Sequence, residues 1–152
     1  MELWESRLLS VADVICERLA CGLHLPLDSF RCRRFNPLVS TGMNLEGEKE
    51  GKILEIPHWD YNLLSVQEGH KYVGLNLWSK KDQKVEINIH AGHLAIIAGK
   101  QLEQLLGGKI IAPKHESVLS KNIMKELEKH KDKEHRNISS WRITSTLFTQ
   151  QA

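Results

Sequence analysis

Short segments rich in β-branched and aromatic residues, separated by turn residues, run through most of this chain. Several such segments at this spacing are typical of an antiparallel β sandwich or barrel. The segment Lys80-Lys81-Asp82-Gln83 is the predicted hairpin turn between two of them. The predicted strands cover residues 63–67, 72–79, 84–90, 93–98, 109–118 and 139–149.

Two further segments differ from this pattern. Residues 3–23 carry apolar residues at the spacing of an amphipathic helix, which is predicted to end near Gly22 and to pack on a sheet. Residues 40–52 combine glycines with charged and polar residues and are predicted to form a mobile loop entering the site. The tip of this loop is a candidate substrate lid.

A His-x-Asp pair, His58-Trp59-Asp60, lies between two strand-like stretches. Residues i and i+2 of a strand project from one face, so this segment would aim an imidazole and a carboxylate in the same direction. A third ligand must come from a distant strand, and His115 lies in such a stretch. Two imidazoles and one carboxylate are the ligand set of mononuclear non-haem iron(II), and they leave positions open that a structural zinc site does not.

Each of these residues also has an ordinary structural explanation. His58 and Asp60 could form a hydrogen-bonded pair on a strand, and His115 could be a core histidine whose nitrogens are satisfied. A His-x-Asp spacing occurs by chance in many chains, so it is weak evidence alone. The joint order and spacing of the three residues favour the metal site.

The segment Arg142-Ile143-Thr144 alternates polar and apolar residues near the C-terminal end. The alternation predicts that Arg142 and Thr144 share one strand face. A guanidinium fork beside a hydroxyl is a good clamp for a carboxylate. The alternative for Arg142 is a surface ion pair, which is common and energetically small.

The His-x-Asp pair, the distal His and the Arg-x-Thr pair, in that order, resemble the 2-oxoglutarate and iron(II)-dependent dioxygenases, in particular the plant-type or isopenicillin N synthase-like branch. Residues 92–108 resemble the strand, glycine turn, Gln-Leu-Glu and second glycine turn that precede the distal His strand of that family. The resemblance covers about residues 25–149. Compared with the plant-type enzymes, the chain is expected to be a short form that lacks most of the N-terminal region.

The resemblance implies a fold, a reaction and cofactors. The implied fold is the double-stranded β-helix, or jelly-roll, and the implied reaction couples hydroxylation of a small molecule to conversion of 2-oxoglutarate into succinate and carbon dioxide. The implied Fe(II) ligands are His58, Asp60 and His115. Arg142 and Thr144 would fix the distal carboxylate of 2-oxoglutarate. Ascorbate is an expected auxiliary reductant.

The chain departs from the family pattern in two places. Arg142 follows His115 at a longer separation than in the family, which requires an insertion. Residues 119–137 are predicted to supply it as a solvated helix, because charged residues surround a thin apolar line. The tyrosine that contacts the co-substrate in the family, near the proline of the upstream strand, is absent, and Asn36 directly precedes Pro37 here.

The length of 152 residues and a hydrophobic content of 41% predict one domain with an ordinary core. Within the domain, 1–152, residues 1–24 are predicted to be the packing helix. Residues 25–118 and 138–150 are expected to form the jelly-roll core, and residues 119–137 the helical insertion.

Charge and cysteine content restrict the partners. The net charge of +2, with basic and acidic residues interleaved, lacks the concentrated patch of a dedicated nucleic-acid binder, so a small-molecule substrate is expected and nucleic acid is not. Cys16, Cys21 and Cys32 suggest neither a disulfide framework nor a zinc ribbon, which favours a reducing, cytoplasmic setting. No stretch reaches the roughly 18 apolar residues that span a bilayer. The sequence does not indicate an oligomeric state.

Two other functions stay open at this point. The chain could be a non-catalytic or regulatory metal-binding jelly-roll module, or a fragment whose catalytic partner region lies elsewhere. It could also be a cupin-like metal enzyme that does not use oxygen, although that function leaves Arg142 and Thr144 without a role. Succinate release tests the first alternative, and activity without oxygen would support the second.

Overall fold

The structure, a computed structural model, describes residues 2–31, 36–69, 72, 74–129 and 139–151. Its strands are β1 (Leu38–Asn44), β2 (Ile53–His58), β3 (Leu64–Glu68), β4 (Leu75–Trp78), β5 (Lys84–Glu86), β6 (Leu94–Ala98), β7 (His115–Val118) and β8 (Trp141–Thr149). Its helices are α1 (Glu2–Gly22), α2 (Lys100–Leu105) and α3 (Lys121–Lys129).

The strands form two four-stranded sheets. The first sheet has the order β1-β8-β3-β6, the second has the order β2-β7-β4-β5, and the neighbouring strands pair antiparallel. Successive strands pass from one sheet to the other, except at the β4–β5 hairpin. This is the jelly-roll arrangement, so the predicted mainly β fold is confirmed.

Strand β3 presents polar side chains to the cavity and an apolar side chain to helix α1. Along β3, Ser65 and Gln67 face the cavity between the sheets, whereas Val66 packs against Leu8 and Ala12 of α1. This alternation follows from the period of two in a strand, and β3 is buried on both sides because α1 covers it. Each buried Leu or Val contributes roughly 1.5–3 kcal/mol to the free energy of unfolding.

The N-terminal helix α1 (Glu2–Gly22) agrees with the predicted helix over residues 3–23 to within one residue at each end. Leu8, Ala12, Cys16 and Ala20 recur every four residues, and all four are buried. Positions four apart lie on one helical face, so they form a continuous apolar row against the sheet. The small side chains in that row allow the helix to approach the strands closely.

The predicted charged helix before the last strand is confirmed within α3. Its apolar line is not solvated, because Ile123 and Leu127 pack with Leu45, Tyr72 and Leu119 to close one end of the sandwich. The rest of the predicted insertion, residues 130–137, lies outside the described residues. No helix in the described ranges is both long enough and apolar enough to cross a membrane.

The predicted mobile loop over residues 40–52 is wrong in its first part. Residues 40–44 belong to β1, which pairs with β8 along its whole length. Turn-like composition is overridden here because the edge strand gains a full ladder of hydrogen bonds from β8. The remainder is a turn region fixed by backbone hydrogen bonds from Leu45 N to Ser140 O and from Gly51 N to Leu119 O. The candidate lid is therefore a tethered part of the sandwich.

Candidate metal centre and the adjoining cavity

Strand pairing brings the two distant histidines together. His58 ends β2, His115 begins β7, and the two residues are Cα partners in the antiparallel ladder. Their ring centroids lie 4.3 Å apart. Asp60 lies beyond the end of β2, so the strand expected to carry both members of the His-x-Asp pair stops at the first of them.

The three side chains converge, with donor atoms slightly farther apart than a shared ion requires. His58 Nε2 lies 3.6 Å from Asp60 Oδ1, and His115 Nε2 lies 3.6 Å from Asp60 Oδ2. Metal bonds of about 2.1 Å at right angles would separate two donor atoms by about 3 Å, so small side-chain movements suffice to complete the site. The observed separations exceed hydrogen-bond length, which argues against the simple His–Asp hydrogen bond.

Both imidazoles are held in the tautomer that a metal needs. His58 Nδ1 lies 2.7 Å from the carbonyl oxygen of Ile56, and His115 Nδ1 lies 3.2 Å from the carbonyl oxygen of Pro113. A carbonyl can only accept, so Nδ1 carries a proton, and Nε2 is the nitrogen left to bind a metal. Contacts of this kind orient metal-ligating histidines in proteins.

The carboxylate of Asp60 is buried and is also fixed by a hydrogen bond from a neighbouring side chain. Ser65 Oγ donates a hydrogen bond of 2.5 Å to Asp60 Oδ2. The Ser65 hydroxyl in turn accepts a hydrogen bond of 3.1 Å from Asn62 Nδ2. These two hydrogen bonds fix the orientation of the Asp60 carboxylate beside the histidines.

Helix α2, which the sequence patterns did not predict, anchors the loop that carries Asp60. Its first amides donate to this loop, from Lys100 N to Asp60 O at 2.7 Å and from Gln101 N to Asn62 O at 3.2 Å. These amides have no partner within the helix, so the loop satisfies them. A Cβ on Gly99 would collide with the carbonyl oxygen of Asn62, so only glycine permits this approach.

Glu103 connects α2 to the segment that leads to His115. Its Oε2 accepts hydrogen bonds of 2.8 Å from Lys100 Nζ and from the backbone amide of Ala112. The hydrogen bond from Lys100, followed by that from Ala112, lowers the pKa of the Glu103 carboxyl below its ordinary value. Glu103 therefore stays ionised and keeps this connection at neutral pH.

A cavity of about 200 Å³ opens beside the triad, between the two sheets. This volume is below the roughly 300–1,000 Å³ of typical drug-sized sites, so the cavity suits a compact ligand. In addition to the triad, its walls include Thr41, Glu55, Gln67, Ile97, Thr144 and Phe148.

Arg142 is buried and does not form the surface ion pair considered from the sequence. Its Nε donates to the carbonyl oxygen of Tyr72 at 3.1 Å. Its Nη2 lies 3.2 Å from Glu55 Oε1 and 3.3 Å from Ser117 Oγ. Sequence reasoning missed Glu55, because no motif marks it.

Thr144 is buried and lines the cavity, with its hydroxyl oxygen 2.7 Å from that of Thr41. Arg142 lies two residues earlier on β8 and contacts Glu55, which lines the same cavity. The two residues thus share the interior face, as the alternation predicts. The side chain of Asn36 instead contacts the residue after β8, since its Oδ1 accepts a hydrogen bond of 2.9 Å from Gln150 N.

Comparison with known proteins places this geometry in a structural context. No sequence-family model matches the chain, and no curated protein matches it by sequence. Solved structures do match over nearly its whole length. A 2OG-Fe(II) oxygenase family protein from Caulobacter crescentus is 20% identical with a TM-score of 0.71, and the match covers 99% of this chain and 46% of that one.

Two other matching structures contain the co-substrate. A full-length Neurospora crassa protein, in complex with alpha-KG and 5-formyluracil, is 14% identical with a TM-score of 0.75, covering 99% of this chain and 47% of that one. The dioxygenase for auxin oxidation 1 from Arabidopsis thaliana, in complex with 2-oxoglutarate, is 18% identical with a TM-score of 0.73, covering 94% and 48%.

The chain spans about half the length of these structures. At such identities a match establishes the fold, whereas activity has to be argued from the site. The resemblance seen in the sequence is confirmed at that level, and the particular branch stays a prediction. The chain has the jelly-roll fold of the 2OG-Fe(II) oxygenase structures.

Proposed function

We propose that the chain is the core of an Fe(II)- and 2-oxoglutarate-dependent oxygenase, which hydroxylates a small molecule with release of succinate and carbon dioxide. The observation that carries the proposal is the convergence of His58, Asp60 and His115 beside one cavity. Arg142 and Thr144 on the interior face of β8 support the co-substrate part of the proposal.

The residues present fit a divalent iron ion. Two neutral imidazoles and one carboxylate supply three donors, and the potential donor atoms all lie within 4.8 Å of one another. Iron(II) held there would supply oxygen activation coupled to decarboxylation of the 2-oxo acid. The chain itself supplies orientation, through the carbonyls behind the histidines and the hydroxyl of Ser65 behind Asp60.

The guanidinium of Arg142 and the hydroxyl of Thr144 are the proposed holders of the distal carboxylate of 2-oxoglutarate. Arg142 is fixed by its contacts with Tyr72 and Ser117, so its orientation is set before a ligand arrives. A fixed fork loses little entropy on binding a carboxylate, which favours affinity. The small cavity suits a compact dicarboxylic acid.

The oxidised substrate is proposed to be a small molecule. Two of the matching proteins support this class, since the Neurospora crassa protein is in complex with thymine or 5-formyluracil and the Arabidopsis thaliana protein is described as a dioxygenase for auxin oxidation. Ascorbate as a reductant and a reducing, cytoplasmic setting are parts of the same proposal.

The test has two stages on one sample. Anaerobic titration of the Fe(II)-loaded protein with 2-oxoglutarate is expected to produce an absorption band that requires both components. Admission of oxygen is then expected to yield succinate, increased by the correct small molecule in a metabolite screen. Absence of the band would refute the proposal. Binding without succinate would support the regulatory module, and turnover without oxygen would support the cupin-like enzyme.

A further inference from the structure

Glu55 is a second carboxylate in the cavity wall, and the mechanism above does not use it. On a regular strand, residues three apart face opposite sides, so Glu55 and His58 should not both point inward. The β2–β7 ladder is irregular on both sides of Glu55, between Ile53 and Glu55 and again between Glu55 and His58. These irregularities direct both side chains into the cavity.

The carboxylate of Glu55 forms an ion pair with the guanidinium of Arg142, which the co-substrate would need. Its Oε1 lies 3.2 Å from Arg142 Nη2, and its Oε2 accepts a hydrogen bond of 3.1 Å from Ser117 Oγ. Ser117 is also the Cα partner of Glu55 across the ladder. The positive charge of Arg142 is therefore already balanced by the carboxylate of Glu55.

The two members of this ion pair differ in their freedom to move. The side chain of Arg142 is 3% exposed, whereas that of Glu55 is 36% exposed. Arg142 keeps contacts with Tyr72 and Ser117 that do not depend on Glu55. Glu55 can be displaced toward solvent only by giving up its contacts with Arg142 and Ser117, whereas the buried Arg142 cannot leave its site.

From this asymmetry we infer that Glu55 is a specificity-determining residue, which competes with the distal carboxylate of the 2-oxo acid for Arg142. An incoming dicarboxylate must displace Glu55 or approach a like charge in a poorly solvated place. Glu55 thus raises the concentration of 2-oxoglutarate that the site needs. The inference rests on the proposed function.

Glu55→Gln tests the inference, because it keeps the shape and removes the charge. Calorimetric titration with Mn(II) in place of Fe(II) measures co-substrate binding without turnover. The dissociation constant for 2-oxoglutarate is expected to fall about tenfold in Glu55→Gln, since one like charge is removed. The dissociation constant for 2-oxobutyrate, which has no distal carboxylate, is expected to stay unchanged.

Two controls separate competition from other effects. Glu86→Gln makes the same charge change at an exposed position of β5 and is expected to leave both dissociation constants unchanged. Glu55→Ala is expected to tighten 2-oxoglutarate binding in the same direction, and thermal unfolding verifies that both Glu55 variants are folded.

The outcomes distinguish this inference from the proposed function. Equal 2-oxoglutarate affinity in the wild type and both folded Glu55 variants would overturn the role of Glu55 and leave the function standing. Equal tightening toward 2-oxobutyrate would also overturn it, because the effect would not involve the distal carboxylate. Failure of the wild type and of both variants to bind 2-oxoglutarate would overturn the function itself, and the inference with it.

Discussion

Two parts of the site, here called the metal end (His58, Asp60 and His115) and the arginine end (Arg142 and Glu55), balance their charges in opposite ways. At one end, the carboxylate of Asp60 lies between two imidazole Nε2 atoms, each 3.6 Å away. At the other end, the guanidinium of Arg142 lies 3.2 Å from the carboxylate of Glu55. The first end is the proposed cation site, whereas the second already pairs its cation with an anion.

If the proposals hold, the difference teaches that one cavity can combine a preorganised metal site with a carboxylate site for which Glu55 competes. The metal end needs only small movements, because carbonyls and a serine hydroxyl already orient its donors. At the arginine end, the inferred binding of the 2-oxo acid requires that its carboxylate displace that of Glu55. The metal is therefore expected to bind more readily than the 2-oxo acid, and four variants test this comparison.

The largest effect is expected from Asp60→Asn, which removes the only charged donor at the metal end. Divalent-metal affinity is expected to fall more than about 100-fold, because loss of an outer contact alone reduces affinity about 10- to 100-fold. Calorimetric titration with Mn(II) measures it. Asp13→Asn, an exposed change on α1, serves as the control. Unchanged metal affinity in Asp60→Asn would refute the proposed metal centre.

Gly99→Ala tests whether α2 holds the metal end in place. The added Cβ would meet Asn62 O, so the Asp60 loop must shift. We expect a loss of about 1–3 kcal/mol in the free energy of unfolding, together with weaker metal binding. Urea denaturation measures the first quantity. Gly22→Ala is the matched control, because a Cβ there has no heavy atom within 4 Å.

Arg142→Lys disturbs only the arginine end. A lysine keeps the charge but loses the fork, and charge-assisted hydrogen bonds contribute about 1.5–3 kcal/mol each, so the dissociation constant for 2-oxoglutarate should rise about tenfold or more. Metal affinity should not change. Arg18→Lys on the exposed side of α1 is the control. A simultaneous loss of metal affinity would show that the two ends are not separable.

Ser65→Ala is expected to have the smallest effect, because it removes one contact behind Asp60 and no ligand. Metal affinity should fall about tenfold, at the lower end of the range for outer contacts. Ser40→Ala removes an exposed hydroxyl whose partner is the Ser145 hydroxyl, and it should leave metal affinity unchanged. Equal metal affinity in the two variants would mean that Asp60 is positioned by its backbone alone.

Regular patterns made part of the fold predictable. The four-residue repeat that begins at Leu8 predicts α1, because a helix and its buried face have nearly the same period. Alternation predicts that Arg142 and Thr144 share a face, which the burial of both residues on β8 confirms. The metal and co-substrate roles of these and the triad residues stay predictions.

Other features had no local signal. Strand β1 is polar and contains Gly42, so only its pairing with β8 makes it a strand. Helix α2 lies between glycines and looks like turns, yet the Asp60 loop satisfies its first amides. The inward direction of Glu55 depends on ladder irregularities that no sequence period encodes.

The sequence alone determined which chemical groups this chain can offer, since residue types and periods are local properties. It also determined the class of fold, because strand and helix periods decide which faces are buried. Tertiary structure decided which groups meet. Cross-strand pairing placed His115 beside His58, and packing gave Arg142 a carboxylate partner, because the distances between remote residues depend on the whole arrangement of strands.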